Sequence, residues 1–388
     1  MVGIANSGDT IDLSQLPTKC GMEHSTITLT NGEIVVNQHD LTLQGPDPGR
    51  GSITISPSNA NPTRVLSHAG SGLLTINALT VANGYLQTGA NDALGGCIKS
   101  NGDITFQNSI AENCTAIGLN ASGGGIFAYG NLSIVASTVS GNTALANSSD
   151  GRGGGVFAEK GLAVKYSTLS NNHASTFGGG AYTRSSSPGY YTGIVNSTIN
   201  GNTAAYCGGG ALYTSAGVII SDSTISGNTA GIHETGGVCV LGDVAISNST
   251  IGFNVGDGVA VWGIQSSLTL QSSIVAKNVL GSDNYDLNIE IAGTTILGNN
   301  NLVTSSNVNL QGVVTVSSDP KLGSLQFNGG RTRTHALLSG SPAIGTGNNT
   351  GGFATDQRGH GYPRTGPNVN TDIGAFQFDS IFAHDFEF

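Results

Sequence analysis

One short polar phrase returns along the chain and constrains its fold more than any other feature. It reads STVSGNTA from Ser137, STLSNNHA from Ser167, STINGNTA from Ser197 and STISGNTA from Ser223. One asparagine from each phrase, extended to related positions on either side, gives Asn113, Asn142, Asn172, Asn202, Asn228, Asn254 and Asn278. Successive members are 29, 30, 30, 26, 26 and 24 residues apart. A period of this size marks a stacked array of repeats. A second marker keeps step with the first: GGGI from Gly123, GGGV from Gly153, GGGA from Gly178 and Gly208, and GGV from Gly236. Each period therefore reads as a strand after the Gly triplet, a turn, a longer strand ending in Ser-Thr-aliphatic, the asparagine turn and a short strand. Three such strands cannot bury a core alone. They can when each coil covers the next, as in a parallel β-helix.

The coil spacing explains why the phrase is conserved from turn to turn. One coil advances the stack by about 4.8 Å, the distance between neighbouring strands. Asparagines at equivalent turns then stand within hydrogen-bond reach, and an amide offers both donor and acceptor. The Gly triplets permit close backbone approach or a positive φ at the corner. Residues 25–84 read as less regular coils. Regularity fades from Gly281, and the segment after Asp319 is expected to act as a cap. The expected division is a β-helix over 1–318 and a C-terminal cap over 319–388.

Composition agrees with an all-β chain. The 388 residues include 60 Gly, only 10% are charged and 37% are hydrophobic, which argues against disorder. The net charge of −10, from 14 basic and 24 acidic residues, argues against a duplex nucleic-acid partner. No run of 18 apolar residues suggests a membrane span. The first twenty residues show no basic-then-apolar leader, so an export signal, if used, is expected to have been removed. The cysteines are Cys20, Cys97, Cys114, Cys207 and Cys239. No C-x-x-C pair suggests zinc. Either a Cys97–Cys114 bridge or small buried hydrophobes accounts for them.

Several segments resemble secreted bacterial right-handed β-helix proteins of the choice-of-anchor Q type. They are SGDTIDLSQL at Ser7, DLTLQGP at Asp40, RVLSHAGSGLLTINALTVANG at Arg64, the STISGNTA and GGGI coils, and a C-terminal block. That block runs THALLSGSPAIGTGN from Thr334, ATDQRG from Ala354 and DIGAF from Asp372, and the closing IFAHDFEF is similar to tails on exported Gram-negative proteins. Gly345 and Gln377 stand where such proteins commonly carry Asp and Glu. The resemblance implies a right-handed, pectate-lyase-like β-helix that is secreted or held at the cell surface. It implies no reaction.

A site is sought on the strands that follow the Gly triplets. Aligned, they give Ile126, Val156, Ala181, Ala211 and Val238, then Phe127, Phe157, Tyr182, Leu212 and Cys239, then Ala128, Ala158, Thr183, Tyr213 and Val240, then Tyr129, Glu159, Arg184, Thr214 and Leu241. Alternate residues face opposite sides. The second and fourth columns are expected outward, forming a stripe of Phe127, Tyr129, Phe157, Glu159, Tyr182 and Arg184 suited to sugar rings. An inward aromatic stack is the alternative. Insertions at Cys114–Ser122, Thr143–Arg152 and Ser185–Tyr191 are expected to wall a groove there, with Arg152, Tyr190 and Tyr191 also touching substrate.

The chemistry such a groove would run is β-elimination on a uronate-containing polysaccharide. That needs a cation on the carboxylate, for which Arg184 or Arg152 has the bidentate geometry, and groups that move protons. The candidates are Tyr182, Arg184, His233, Lys160 and Tyr206, with Tyr190 nearby. No cofactor is expected. Calcium could replace arginine as the clamp, but the nearest acidic run, DNYD at Asp283–Asp286, is remote. A hydrolase needs two facing carboxylates, and only Glu159 stands in this stripe. The reading is a monomeric lyase. The alternative is a non-catalytic adhesin or glycan-binding protein, which the net charge favours because a polyanion would be repelled.

Overall fold

A computed structural model describes residues 2–16, 25–47, 52–148, 150–184, 189–206, 210–231, 233–278, 284–364 and 370–379. Among these residues the chain is all-β. It forms three long parallel sheets of 11, 12 and 10 strands. One coil shows the plan. Ile126–Ala128 lies in the 10-stranded sheet, Leu132–Val135 in the 11-stranded sheet and Thr138–Ser140 in the 12-stranded sheet. Each strand pairs in parallel with its counterpart one coil on: Leu132 with Leu162, Thr138 with Thr168, Ile126 with Val156. The expected β-helix is therefore present. Alternation fills its interior: Ile104, Phe106, Leu132, Ile134, Leu162, Val164 and Ile194 are all buried in one continuous core.

The corners are specified residue by residue. Ala136, Tyr166 and Asn196 take φ of 49°, 52° and 47° between the 11- and 12-stranded sheets. Gly141, Gly201 and Gly227 take positive φ just before the asparagines, and Gly123, Gly153 and Gly178 do so at the triplets. The asparagine column is continuous. Asn142 donates its backbone N–H and its amide to Asn172 Oδ1 at 3.0 and 2.9 Å. Asn172 does the same to Asn202, Asn202 to Asn228, Asn228 to Asn254 and Asn254 to Asn278. One correction follows. Asn113 is not a member: its neighbour one coil on is the turn glycine Gly141, and Cys114 occupies the column, donating its N–H to Asn142 Oδ1. The far end is Asp286, whose Oδ1 accepts from Asn278.

A second ladder runs beside the first. The N–H of Ser109 donates to Ser137 Oγ, and the same bond repeats from Ser137 to Ser167, Ser197, Ser223, Ser249 and Ser273, ending on Asn301 Oδ1. Each hydroxyl in turn donates to the carbonyl two residues before it, as Ser137 does to Val135. This accounts for the serine that opens each phrase.

Cys97 and Cys114 are joined by a disulfide, and both are fully buried. Cys239 is also disulfide-bonded. Cys20 and Cys207 lie outside the described residues.

The described residues after Asp319 run along the side of the stack. Thr198 Oγ1 donates to Arg333 O, Thr224 Oγ1 to Gln357 Oε1, and Asn248 to Asn348 O. Ser226 and His335 Nε2 are 2.7 Å apart, and the buried Arg364 pairs with Asp222 at 2.6 Å. Thr198, Thr224 and Ser226 lie on successive strands of the 12-stranded sheet, and Asp222 and Asn248 at the corners leading into it, so the described part of the segment covers the outer face of that sheet. It was expected at the end of the stack.

Candidate functional site

The strands after the Gly triplets do present their second column away from the helical core. Ile126 and Ala128 belong to the main core, whereas Phe127, Phe157 and Tyr182 form a separate cluster. The rings stack in sequence, with centroids 5.1 Å apart for Phe127–Phe157 and 5.0 Å for Phe157–Tyr182. Tyr213 continues the stack at 4.8 Å. Leu212 pairs with Ala181 and Tyr213 with Tyr182, so the expected alignment is one residue out in that coil.

The stripe is outward but not open. Phe127 and Phe157 are 1% exposed and Tyr182 is 8% exposed. The insertions expected as groove walls fold into strands instead. Thr115–Gly118 and Thr143–Ala146 join one small sheet, and Ala121–Ser122 and Gly151–Arg152 join another. Leu94 and Phe177 pack on the rings, and the Arg152 guanidinium lies 5.8 Å from the Tyr182 centroid. No sugar can stack on Phe127 or Phe157 while this layer is in place. Of the stripe, Tyr129 is exposed, edge-on to Phe127.

The basic residues there have partners. Arg184 Nη1 is 3.1 Å from Glu159 Oε1, and Arg152 is bound to Asp150. The Arg184 side chain is still 57% exposed. Burial, then the neighbouring Tyr213, raises the Tyr182 hydroxyl to about 12, so Tyr182 stays protonated at neutral pH. The structure thus gathers Arg152, Tyr182, Glu159 and Arg184. The remaining candidates sit on separate turns. Lys160 is exposed at the corner leading to Leu162–Lys165, Tyr206 meets Phe177 at 6.2 Å, and His233 occupies an exposed turn with φ 63°.

Among the described residues no group of three or more His, Cys, Asp or Glu is placed to hold a metal ion. In the acidic run, Asp286 is occupied by Asn278, Thr304 and Ser305, and Asp283 lies outside the described residues.

A concave surface does form one sheet away. It is a trough of about 500 Å³ on the outer face of the 11-stranded sheet. Its floor is laid by Asp103–Gln107, Leu132–Val135 and Leu162–Lys165. The outward residues there are Thr105, Ser133 and Ala163, paired in register. Asp103, Asn131 and Gly161 line one edge, and Gly189, Tyr190 and Tyr191 rise as a wall. Tyr190 and Tyr191 come from the predicted insertion. Ser185–Pro188 of that insertion lies outside the described residues.

The edge is braced internally. Asp103 Oδ1 accepts the Asn131 N–H at 2.7 Å, and Asn131 Oδ1 accepts the Gly161 N–H at 3.0 Å. Tyr190 approaches the space above Gly161, while the Tyr191 ring lies against Gly217, where a Cβ would meet it at 2.9 Å. Sequence reasoning found the two tyrosines but missed the floor. Its one signal is the column Thr42, Thr75, Thr105, Ser133, Ala163 and Gly193, small until Ile219.

No protein-family description and no curated protein matches this chain. Among solved structures it is similar to pectate lyase Pel9A, with 14% identity, a TM-score of 0.46, and coverage of 97% of this chain and 90% of that one. A likeness this remote carries no argument about activity. The functional reading rests on the trough and on the state of the Arg184 face.

Proposed function

We propose that this is an exported, non-catalytic glycan-binding β-helix protein whose sugar contact is the trough walled by Tyr190 and Tyr191. The observation that carries the reading is the lining: hydroxyls and an amide on the floor and edge, and the Tyr190 ring on the wall above Gly161. A sugar has an apolar face and a polar rim, and such a surface meets both. Two disulfide-bonded sites, Cys97–Cys114 and Cys239, support an oxidising compartment and so export.

The second reading is a lyase acting at Arg184. It is favoured by the exposure of that guanidinium beside Tyr182. Against it stand the Glu159 partner, which neutralises the cation, and the protonated Tyr182.

The two separate in one experiment. The protein is run through gels containing neutral or uronate polysaccharides, and parallel samples are followed for ultraviolet absorbance of unsaturated product. Retardation by a neutral glycan that Tyr190→Ala relieves, with no absorbance change, is the expected outcome. Absorbance that rises on a uronate glycan and is abolished by Arg184→Ala would place the function on the other face.

A further inference from the structure

The floor strand Leu162–Lys165 leads into two exposed side chains that the fold itself does not call for, Lys165 and Tyr166. We infer that they form a subsite for one acidic sugar unit carried on an otherwise neutral glycan chain. The inference deepens the glycan-binding reading and rests on it.

Tyr166 stands where the chain turns from the 11- to the 12-stranded sheet, with φ 52°. The coils on either side turn the same corner in the left-handed region with Asn108, Ala136, Asn196 and Asp222. A bulky aromatic residue is disfavoured there. The ring recovers nothing from burial: it is 40% exposed and belongs to none of the apolar clusters among the described residues. Backbone strain of this kind persists where a side chain is needed at one particular place.

Lys165 supplies the second half. Its ammonium lies 5.1 Å from the Tyr166 ring centroid. Among the described residues no carboxylate pairs with it. Its outward column reads Gln107, Val135, Lys165, Val195, Ser221 and Ser247, with no second charge. A sugar ring can rest on the tyrosine while its carboxylate meets the ammonium in a charge-assisted contact. The pair adjoins the trough. Lys165 follows Ala163 of the floor by two residues and faces the same side, about 6.6 Å away. Gly161 and Ala163 are the outward residues that precede it on the strand, so a chain held by Tyr190 above Gly161 has a clear lane to Lys165. The two edges of the floor differ in sign, because Asp103 lies in register with Asn131 and Gly161 at the opposite edge. The acid therefore belongs at the Lys165 end. A net charge of −10 opposes a polyanion, but not a single acidic unit on a neutral main chain.

The test is affinity electrophoresis of the whole protein in glucuronoxylan and in xanthan, neutral main chains with uronate branches, each beside its carboxyl-reduced form. Neutral glucans, mannans and xylans run in parallel. At low salt the protein should bind an acidic form about fivefold more tightly than its reduced form, and the preference should shrink as salt is raised. Lys165→Gln should bind both forms equally. Tyr166→Asn should lose the preference and melt at a higher temperature, because asparagine accepts the left-handed turn. Lys99→Gln, whose ammonium stands 5.7 Å from the Tyr129 ring on another face, should behave as the native protein. Equal binding of both forms by the native protein overturns the subsite and leaves neutral binding intact. So does a preference that survives Lys165→Gln, or one lost in Lys160→Gln instead. A Tyr166→Asn variant that melts lower overturns the role of Tyr166. A failure of every glycan, acidic or neutral, to bind overturns the glycan reading itself.

Discussion

Asn202 shows how much one side chain carries in this fold. Its Oδ1 accepts both the backbone N–H and the amide of Asn172, and its own amide reaches Leu169 O and Asn228 Oδ1. Truncation to alanine leaves buried donors on Asn172 without a partner. Each orphan costs roughly 1–3 kcal/mol, so Asn202→Ala should lose about 3 kcal/mol in denaturant unfolding. Asn147→Ala, at an exposed loop position, should lose almost nothing. The ladder was legible because every coil spells it with the same letters. Asn113 misled for the same reason: it is an asparagine at nearly the right interval, but it fills the left-handed turn position that glycine takes in other coils, with φ 55°. Spacing alone does not separate two adjacent turn residues. The register of Gly141 opposite Asn113 does.

At the scale of elements, the covered aromatic stack behaves as a second core. Phe157 lies between two rings and under the small sheets, so Phe157→Ala should cost about 3–5 kcal/mol, a loss an exposed sugar-binding ring would not show. Chemical denaturation measures it. The disulfide sits at the head of the ladder and closes 17 residues, a loop for which about 3 kcal/mol is expected. Comparing the melting of the native protein with a Cys97→Ser, Cys114→Ser double variant checks this. Alternation told which residues point away from the helical interior. It could not tell what covers them, because the covering strands come from irregular insertions with no period of their own. The slip at Leu212 and Tyr213 has a similar origin: counting from the Gly triplet assumes a fixed corner length, and that corner is one residue longer.

Across the whole molecule, the segment after Asp319 was the least legible part. Its contacts join residues more than a hundred positions apart, as between Ser226 and His335, and leave no periodic trace. Its docking depends on pH through that histidine. His335 Nδ1 donates to Gly323 O, which leaves Nε2 to accept from Ser226. Burial lowers its pKa below the ordinary 6.5. Above 6.5 the ring is neutral whether the chain is folded or not, and nothing is lost. As pH falls below 6.5 the unfolded chain takes up a proton that the folded one resists, so stability drops. The gap in melting temperature between the native protein and His335→Gln should therefore narrow on acidification from pH 7.5 to 5.

A stack of coils that touch only their neighbours unravels from a free end, one layer at a time. Here a single strip of chain is fastened to strands from Thr198 to Thr250 and onward to Asn300, which donates to Thr346 O. Those layers cannot peel singly without tearing the strip from all the others. Hydrogen exchange should find their amides opening together, as one block, while the coils before Asn196 release theirs in succession.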